Sequence, residues 1–431
     1  MAGKAKDSSS IGGKAAKKAL AGLYGKGVAA QAERYSRLAS LLRGDLEAAS
    51  LAGEAGQPRF YSAPGRTELG GNHTDHNHGQ VLCAAVSLDA VACAVRLPGT
   101  RVSLVSDGYA DPVVLDLATL EPLPAERGKT AALVRGVARG LADRGIAPVG
   151  FAARINSTVL PGSGLSSSAA IEVLLGSLMA DLAGSPLSAL EIAKIGQFAE
   201  NEFFGKPCGL MDQTASAVGG VVSIDFADPR SPKVKRLEFD FEAEGYRLVV
   251  VGTGGSHEDL TAEYAAIPGE MRAAASFLGA ETLGDIDPSL LAQKGPELRA
   301  ALGDRALLRA FHFMGEDARV PAMVKALKAG DLKAYLKLVK KSGDSSWRLL
   351  QNISPSGAVA EQGIALALAL SAEMLGAKGA WRVHGGGFAG TIQAYVPAKL
   401  LAAYTELMEG YFGAGCVIPV SIRAAGAGRV L

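Results

Sequence analysis

Pro161-Gly162-Ser163-Gly164-Leu165-Ser166-Ser167-Ser168-Ala169-Ala170 is the stretch on which the fold is decided. A proline and two glycines interrupt regular structure, three hydroxyls follow, and Ala169 to Leu175 continues as the start of a helix. A helix start offers unpaired backbone N–H groups and the positive end of the helix dipole, and together these attract an anion, most naturally phosphate. The glycines let the backbone approach that anion, and the serines are suited to cap the helix or reach a metal. No Lys-Ser or Lys-Thr follows the glycines, so the loop is not a Walker A motif. Taken alone, a Gly/Ser loop is equally a flexible connection to a capped helix. Its company in the chain settles the matter.

Outward from this loop the pattern alternates between helical and extended segments, which indicates an α/β or α+β protein. Residues 28–50 read as an amphipathic helix, Arg59 to Ala63 as a strand, Val81 to Leu97 and Arg101 to Val105 as further strands. Thr130 to Arg144 reads as a helix, Val149 to Ile155 as a strand leading into the loop, and Leu187 to Phe204 as one long helix. The Pro/Asp/Lys-rich segment after Phe226 marks a division between residues 228 and 245. The expected organisation is a mobile basic tail over 1–27, turning helical near Ala15, then one domain over 28–240 and another over 241–431. The second domain opens on the buried-strand pattern Tyr246 to Val251 and closes on strands near Thr391 to Val396 and Val417 to Ile422.

Composition narrows the function. A chain of 431 residues, 48% hydrophobic, buries a large core and suits two domains. Its 44 Lys and Arg balance 43 Asp and Glu, so nothing global points to nucleic acid or a membrane surface. No apolar run has the length of a membrane span, and the lysine-bearing first twenty residues lack the apolar core of a secretory signal. Cys83, Cys93, Cys208 and Cys416 are scattered, which suits a reducing cytoplasm and argues against a zinc ribbon.

Three further clusters carry chemistry. Pro64 to Gly79 (PGRTELGGNHTDHNHG) is polar and rich in turn residues. His73, Asp75, His76 and His78 suggest a metal, but in extended chain 73 and 75 face away from 76 and 78. Asp75 and Asn72 are better suited to vicinal hydroxyls of a sugar. Ala199 to Gln213 places Glu200 at a helix end and Asp212 among Leu210 and Met211. Asp212 is either the cap of the following helix or a buried acid held ionised by a cation such as Arg66. Arg382 to Gly390 carries three consecutive glycines, which permit close approach to a ligand or to another segment.

In this order and spacing the four clusters resemble the GHMP kinases, and most closely the galactokinase family. Gly65 to Asn77 resembles the galactokinase signature Gly-Arg-x-Asn-Leu-Ile-Gly-Glu-His-Thr-Asp-Tyr-Asn. The serine loop resembles the family's phosphate motif, with Gly162 one place early. Pro207 to Gln213 resembles the loop of the catalytic aspartate, and Gly385 to Gly390 the third motif. The resemblance implies an α+β, two-domain GHMP kinase fold. Its N-terminal domain has a mixed sheet like that of a ribosomal-protein domain, its C-terminal domain is ferredoxin-like, and the active site lies in the cleft between them.

Carried over position by position, the resemblance implies an ATP-dependent sugar 1-kinase, with galactose the first candidate and a small-molecule sugar the only partner required. Asp212 would take the proton of the anomeric hydroxyl, and Arg66 would hold Asp212 ionised. Ser168 and Glu200 would hold Mg²⁺. Gly162, Ser163, Gly164, Leu165, Ser166, Ser167 and Ser168 would wrap the phosphates of ATP, with Ser106 at the nucleotide. Asn72, His73, Thr74, Asp75, Gly209 and Tyr264 would bind the sugar. Such a site needs no second chain, so a monomer is expected. The departures fall on the sugar side. Asn72 replaces the signature's Glu, expected at the sugar's primary hydroxyl, while Glu68 replaces its Asn, Gly70 its Ile and His76 its Tyr. Lys341 to Ser346 stands where a more acidic run is expected. The alternatives are a kinase for N-acetylgalactosamine, arabinose or a uronic acid, and a sugar- and ATP-sensing regulator without turnover.

Overall fold

The computed structural model describes residues 11–109, 111–159, 162, 164–255, 260–388 and 390–431. The first half of the chain builds a mixed sheet around one long strand. Its strands are β1 (Arg59–Gly70), β2 (Gln80–Leu97), β3 (Arg101–Ser106), β4 (Val113–Asp116), β5 (Gly150–Ser157), β6 (Val221–Asp225) and β7 (Lys233–Leu237). β2 lies against β1 on one edge. On the other it pairs first with β6, from Gln80↔Asp225 to Ala84↔Val221, and then with β5, from Ala90↔Ser157 to Leu97↔Gly150. β3 and β5 are parallel, so both lead out at the same end of the sheet, toward the serine loop.

Alternation along β2 explains why its apolar run shows no polar face. Ala90, Ala92 and Ala94 face a core made with α3 (Thr130–Ala142), α4 (Ser167–Leu182), α5 (Ala189–Phe198) and α6 (Met211–Val218). Val91, Cys93 and Val95 face the opposite way, against Leu20 of α1 (Lys14–Tyr24) and Tyr35, Leu38, Leu42 and Leu46 of α2 (Val28–Ala48). A sheet covered on both faces needs apolar side chains at every position. The segment expected as a mobile tail is therefore corrected over residues 14–24. α1 buries Ala16 and Leu20 and anchors Tyr24 Oη on Asp89 at 2.6 Å. Lys4 and Lys6 lie outside the described residues.

The second sheet is antiparallel, in the order β11 (Val417–Val420), β8 (Tyr246–Gly252), β10 (Thr391–Pro397), β9 (Ala380–Val383). Val249 and Val251 face a core with α11 (Gly363–Leu375) and α12 (Leu401–Phe412), while Leu248 and Val250 join the core shared with the first sheet. Between the sheets run α7 (Thr261–Phe277), α8 (Pro288–Leu302), α9 (Asp304–Lys328) and α10 (Leu332–Ser345). Val320 and Met323 of α9 and Tyr335 of α10 pack into that shared core. The chain then returns to the first sheet: Arg423 N–H donates to Ala85 O at 2.9 Å, and β12 (Gly428–Arg429) pairs with Tyr61 and Ser62 of β1.

One helix departs from the sequence expectation, and a second shows the same irregularity. The segment read as one helix from Leu187 to Phe204 is α5 followed by a π-helical segment, Ala199–Phe204, and α10 likewise runs into a π-helical segment, Ser346–Leu350. A π turn inserts a residue and re-aims its side chains, which occurs mostly at functional places. Here the re-aimed residues are Glu200 and Ser346.

Candidate active site

Much of the signature expected as turn is strand, since β1 runs on to Gly70. Register shifts between Pro64 and Arg66 and between Glu68 and Gly70 mark bulges on either side of Arg66 to Glu68. Bulges redirect side chains out of the regular pleat. Arg66 thereby meets Asp212 in the first turn of α6 as a bidentate pair, Nε to Oδ1 at 2.6 Å and Nη2 to Oδ2 at 2.7 Å. The third arm, Nη1, donates to Gly164 O at 2.5 Å, and Arg66 N–H donates to Leu165 O at 3.0 Å. One guanidinium thus ties the candidate base to the phosphate loop.

Asp212 keeps 30% of its side chain exposed, so one edge faces the cleft. Burial pushes its carboxyl upward. Arg66 by charge and hydrogen bond, Ser166 by hydrogen bond and Lys206 by charge outweigh that and hold it below the ordinary carboxylate range. Its place in the first turn of a helix acts in the same sense.

The serine loop is arranged more specifically than expected. Ser167 begins α4, and Ser166 is its N-cap in the left-handed conformation, with φ 56°. The Ser166 hydroxyl caps no N–H; it donates to Asp212 Oδ2. Leu165 is fully buried and anchors the loop. Gly164, with φ 72°, sits where a β-carbon would come within 2.6 Å of Thr391 Oγ1 and 2.8 Å of His384 Nδ1. Only glycine lets the loop lie this close to the second sheet. Gly162, also at positive φ, is exposed at the loop's tip, and Ser163 lies outside the described residues. Ser106 ends β3 beside Ile155, at the end of the sheet from which the loop leaves.

Ser168 and Glu172 are one turn apart on α4, on the same face. Gln213 Nε2 donates to Glu172 Oε2 at 2.9 Å and to Glu200 Oε2 at 3.1 Å, joining α4, α6 and the first π segment. Burial, with the neighbouring Glu200 charge, raises the Glu172 carboxyl well above its ordinary range. Glu200 Oε1 accepts from the ammonium of Lys206, Nζ, at 3.3 Å. A carboxylate oxygen already matched to a cation is a hard oxygen donor of the type that Mg²⁺ takes while keeping waters and phosphate oxygens. Among the described residues no group of three His, Cys, Asp or Glu could hold a metal, so the histidine cluster at 73–78 forms no site of its own.

The residues expected at the sugar separate into two sets. Asp75 and Gly209 adjoin directly: a β-carbon at Gly209 would collide with Asp75 Oδ2. His73, at φ 57°, donates from Nε2 to Gly386 O at 3.1 Å, and burial keeps its imidazole neutral. Tyr264 Oη donates to Gly387 O at 2.9 Å. Asn72 and Thr74, also expected at the sugar, are bonded within the protein. Thr74 is wholly buried and its hydroxyl closes the turn on Gly71 O and Gln80 O, at 2.8 and 2.6 Å. Asn72 donates to Glu68 and to Gly385 O at 2.8 Å and accepts from Ser346 Oγ and Asn352 Nδ2 at 3.1 and 3.0 Å. An amide offers two N–H groups and one oxygen, and all are engaged.

Several residues of the site carried no assignment from sequence. Arg382 Nη2 donates to Glu68 Oε1 at 2.5 Å across the sheets, and His384 Nε2 meets Thr67 Oγ1 at 2.9 Å. Asn352 Nδ2 also holds Gly386 O at 3.0 Å. With Asn72 and Tyr264, it turns all three carbonyls of Gly385 to Gly387 toward side-chain donors. The available signals were a carboxylate, Glu172, within an apolar helix and a charged residue, Arg382, at the start of the glycine run.

A phosphate loop over an Arg–Asp pair, in a cleft between a mixed sheet and an antiparallel one, defines a GHMP kinase. Residues 132–220 match the GHMP kinases N-terminal domain, and residues 50–96 match the galactokinase galactose-binding signature. The chain is 36% identical to the galactokinase of Streptomyces coelicolor over 381 residues, 86% of this chain and 94% of that one. It is 33% identical to the galactokinase of Glaesserella parasuis, over 81% of this chain and 88% of the other. The chain belongs to the galactokinase family. Its fold is similar to the crystal structure of Lactococcus lactis galactokinase complexed with galactose, with TM-score 0.76 and 24% identity over 90% of this chain and 98% of that one. Methanococcus jannaschii mevalonate kinase shares the fold at TM-score 0.61 and 17% identity, over 86% and 99% of the two chains.

Proposed function

We propose that the protein transfers the γ-phosphoryl group of ATP to the anomeric hydroxyl of galactose, giving α-galactose 1-phosphate and ADP. The observation that carries this is the Arg66–Asp212–Ser166 constellation, bonded directly to the phosphate loop. Phosphoryl transfer requires positioning of the acceptor and neutralisation of oxygen charge more than covalent chemistry by the protein. Asp212, ionised and open to the cleft on one edge, accepts the proton of the hydroxyl as the O–P bond forms. Arg66 fixes the carboxylate's plane through two bonds and leaves its positive charge beside the transferred group. The loop from Gly162 to Ser168 and the start of α4 receive the phosphates, with Ser106 on the nucleotide side. Asp75 and His73 meet the sugar hydroxyls, with Gly209 and Tyr264 lining the same cleft. Ser168 and Glu200 are the residues that would hold Mg²⁺, which when bound neutralises charge on phosphate oxygens.

A shifted sugar preference is the second reading, favoured by the saturation of Asn72, which leaves position 72 without a carboxylate for the sugar. The site is built from one chain, in keeping with a monomer, and four unpaired cysteines suit a cytoplasmic setting. Among the described residues no helix is long and apolar enough to cross a membrane. The test is ADP release with MgATP on galactose, N-acetylgalactosamine, glucose, arabinose and galacturonate, with Asp212→Ala as the blank. Strongest turnover on galactose is expected. Preference for another sugar would replace the substrate and keep the mechanism, and a folded, ATP-binding protein silent on all five would overturn the kinase assignment.

A further inference from the structure

The turn after the first π-helical segment carries a cation, Lys206, to which the proposed transfer assigns no contact with the nucleotide. Gly205 ends that segment in the left-handed conformation, with φ 84°. Its N–H and that of Lys206 both donate to Glu200 O, at 2.9 and 3.1 Å. This double closure starts the Lys206 side chain beside the Glu200 carboxylate, and Nζ comes to rest 3.3 Å from Oε1. The pair is lopsided: Glu200 is 3% exposed and Lys206 64%. The ammonium therefore reaches in from solvent and covers the carboxylate oxygen that Gln213 leaves open. A second exposed cation, Arg127, lies over the same turn, so close to Gly205 that a β-carbon there would collide with its guanidinium. The ammonium itself stays largely in water, so only the carboxylate of this pair is desolvated. Its placement is the informative part, because the same ammonium also acts electrostatically on Asp212.

We propose that Lys206 is a phosphate-binding cation of this site, resting on Glu200 until a nucleotide enters. The proposal rests on the kinase reading above. An ammonium has three N–H donors on a flexible stem, so it can retain Glu200 with one and turn the others to phosphate oxygens. It supplies the cation between carboxylate and phosphate when no divalent ion is present, and it yields the Glu200 oxygen when one is.

The test is calorimetric titration of ADP in EDTA, with no divalent ion, into wild type, Lys206→Met and Lys206→Arg. Loss of one charge-assisted bond to phosphate predicts about tenfold weaker ADP binding for Lys206→Met and nearly wild-type binding for Lys206→Arg. Lys206→Arg should melt as wild type does, while Lys206→Met leaves the buried Glu200 carboxylate unpaired and should melt lower. Unchanged ADP affinity in Lys206→Met overturns the proposal, as does equal loss in both variants, because charge would then not be the cause. Galactose phosphorylation by the same wild-type preparation separates that failure from a failure of the kinase reading.

Discussion

Asn72 donates to both carboxylate oxygens of Glu68, at 3.1 and 3.3 Å, in a pocket closed to solvent. The family signature has an amide at position 68 and a carboxylate at 72, so this chain holds the same two groups in exchanged order. The exchange is matched from the second sheet by Arg382, which is wholly buried and pairs with Glu68. Asn72→Glu would therefore set two carboxylates against each other around one guanidinium. Its expected cost is about 3–5 kcal/mol, the scale of an uncompensated buried charge. Exchanging both residues, Glu68→Asn with Asn72→Glu, should recover roughly 1–3 kcal/mol relative to the sum of the single changes. Urea unfolding of the four proteins measures that coupling, and simple additivity would show that the two positions do not act as a unit.

Arg66 sets the charge of Asp212, and pH reads that directly. The Asp212 carboxyl is depressed in the folded protein, so its ionisation stabilises the fold above the unfolded value, about 3.9, and this stability is lost as pH falls through the lower folded value. In Arg66→Met only burial and the weaker donors remain, and burial raises the carboxyl. The acid limb of the kcat/KM profile should move to higher pH, beside a rate loss of roughly 10²- to 10³-fold for a removed charge stabiliser. If the limb stays in place while the rate falls, Asp212 is not the group that sets it.

Glu172 gives a prediction of opposite sign. Its carboxyl is raised by burial and by Glu200, so the stability tied to its proton is complete below the unfolded value, about 4.3, and fades as pH rises toward the folded one. Glu172→Gln keeps the shape and an acceptor for Gln213 and removes the titration. The variant should match wild type near pH 4 and melt higher at pH 8. Melting curves at the two pH values settle this, and a lower melting temperature at pH 8 would mean that Glu172 is charged and needed as such.

The legible part of this protein was the part carried by local motifs. The glycines and serines of the loop and Asp212 beside a helix start each allow a second reading by spacing alone, and it is the joint resemblance of the four clusters to the family motifs that gives them roles. Residues that act through partners hundreds of positions away were not legible. Arg382 meets Glu68 and His312 meets Asn72 O only once the two sheets are packed. The bond from Ser166 to Asp212 is set by a left-handed backbone that no local pattern announces. The π segments are hidden for a similar reason. Helical periodicity over Leu187 to Phe204 is preserved well enough that a single inserted residue leaves no trace in the apolar pattern.

A substitution at Gly209 separates the proposed sugar contact of Asp75 from the proposed phosphate contacts of the loop. Gly209 lacks the positive φ that would demand glycine on backbone grounds, so its value lies in the space it leaves. A methyl group there meets Asp75 Oδ2 head on, and the backbone of the loop leading into α6 cannot retreat without moving Asp212. Gly209→Ala should therefore displace the Asp75 carboxylate, at a cost on the overpacking scale of roughly 1–3 kcal/mol. If Asp75 holds sugar hydroxyls, the KM for galactose rises about tenfold or more while the KM for ATP changes little. An equal rise in both would mean that the methyl group disturbs the loop and Asp212 together, and that Asp75 has no separate hold on the sugar.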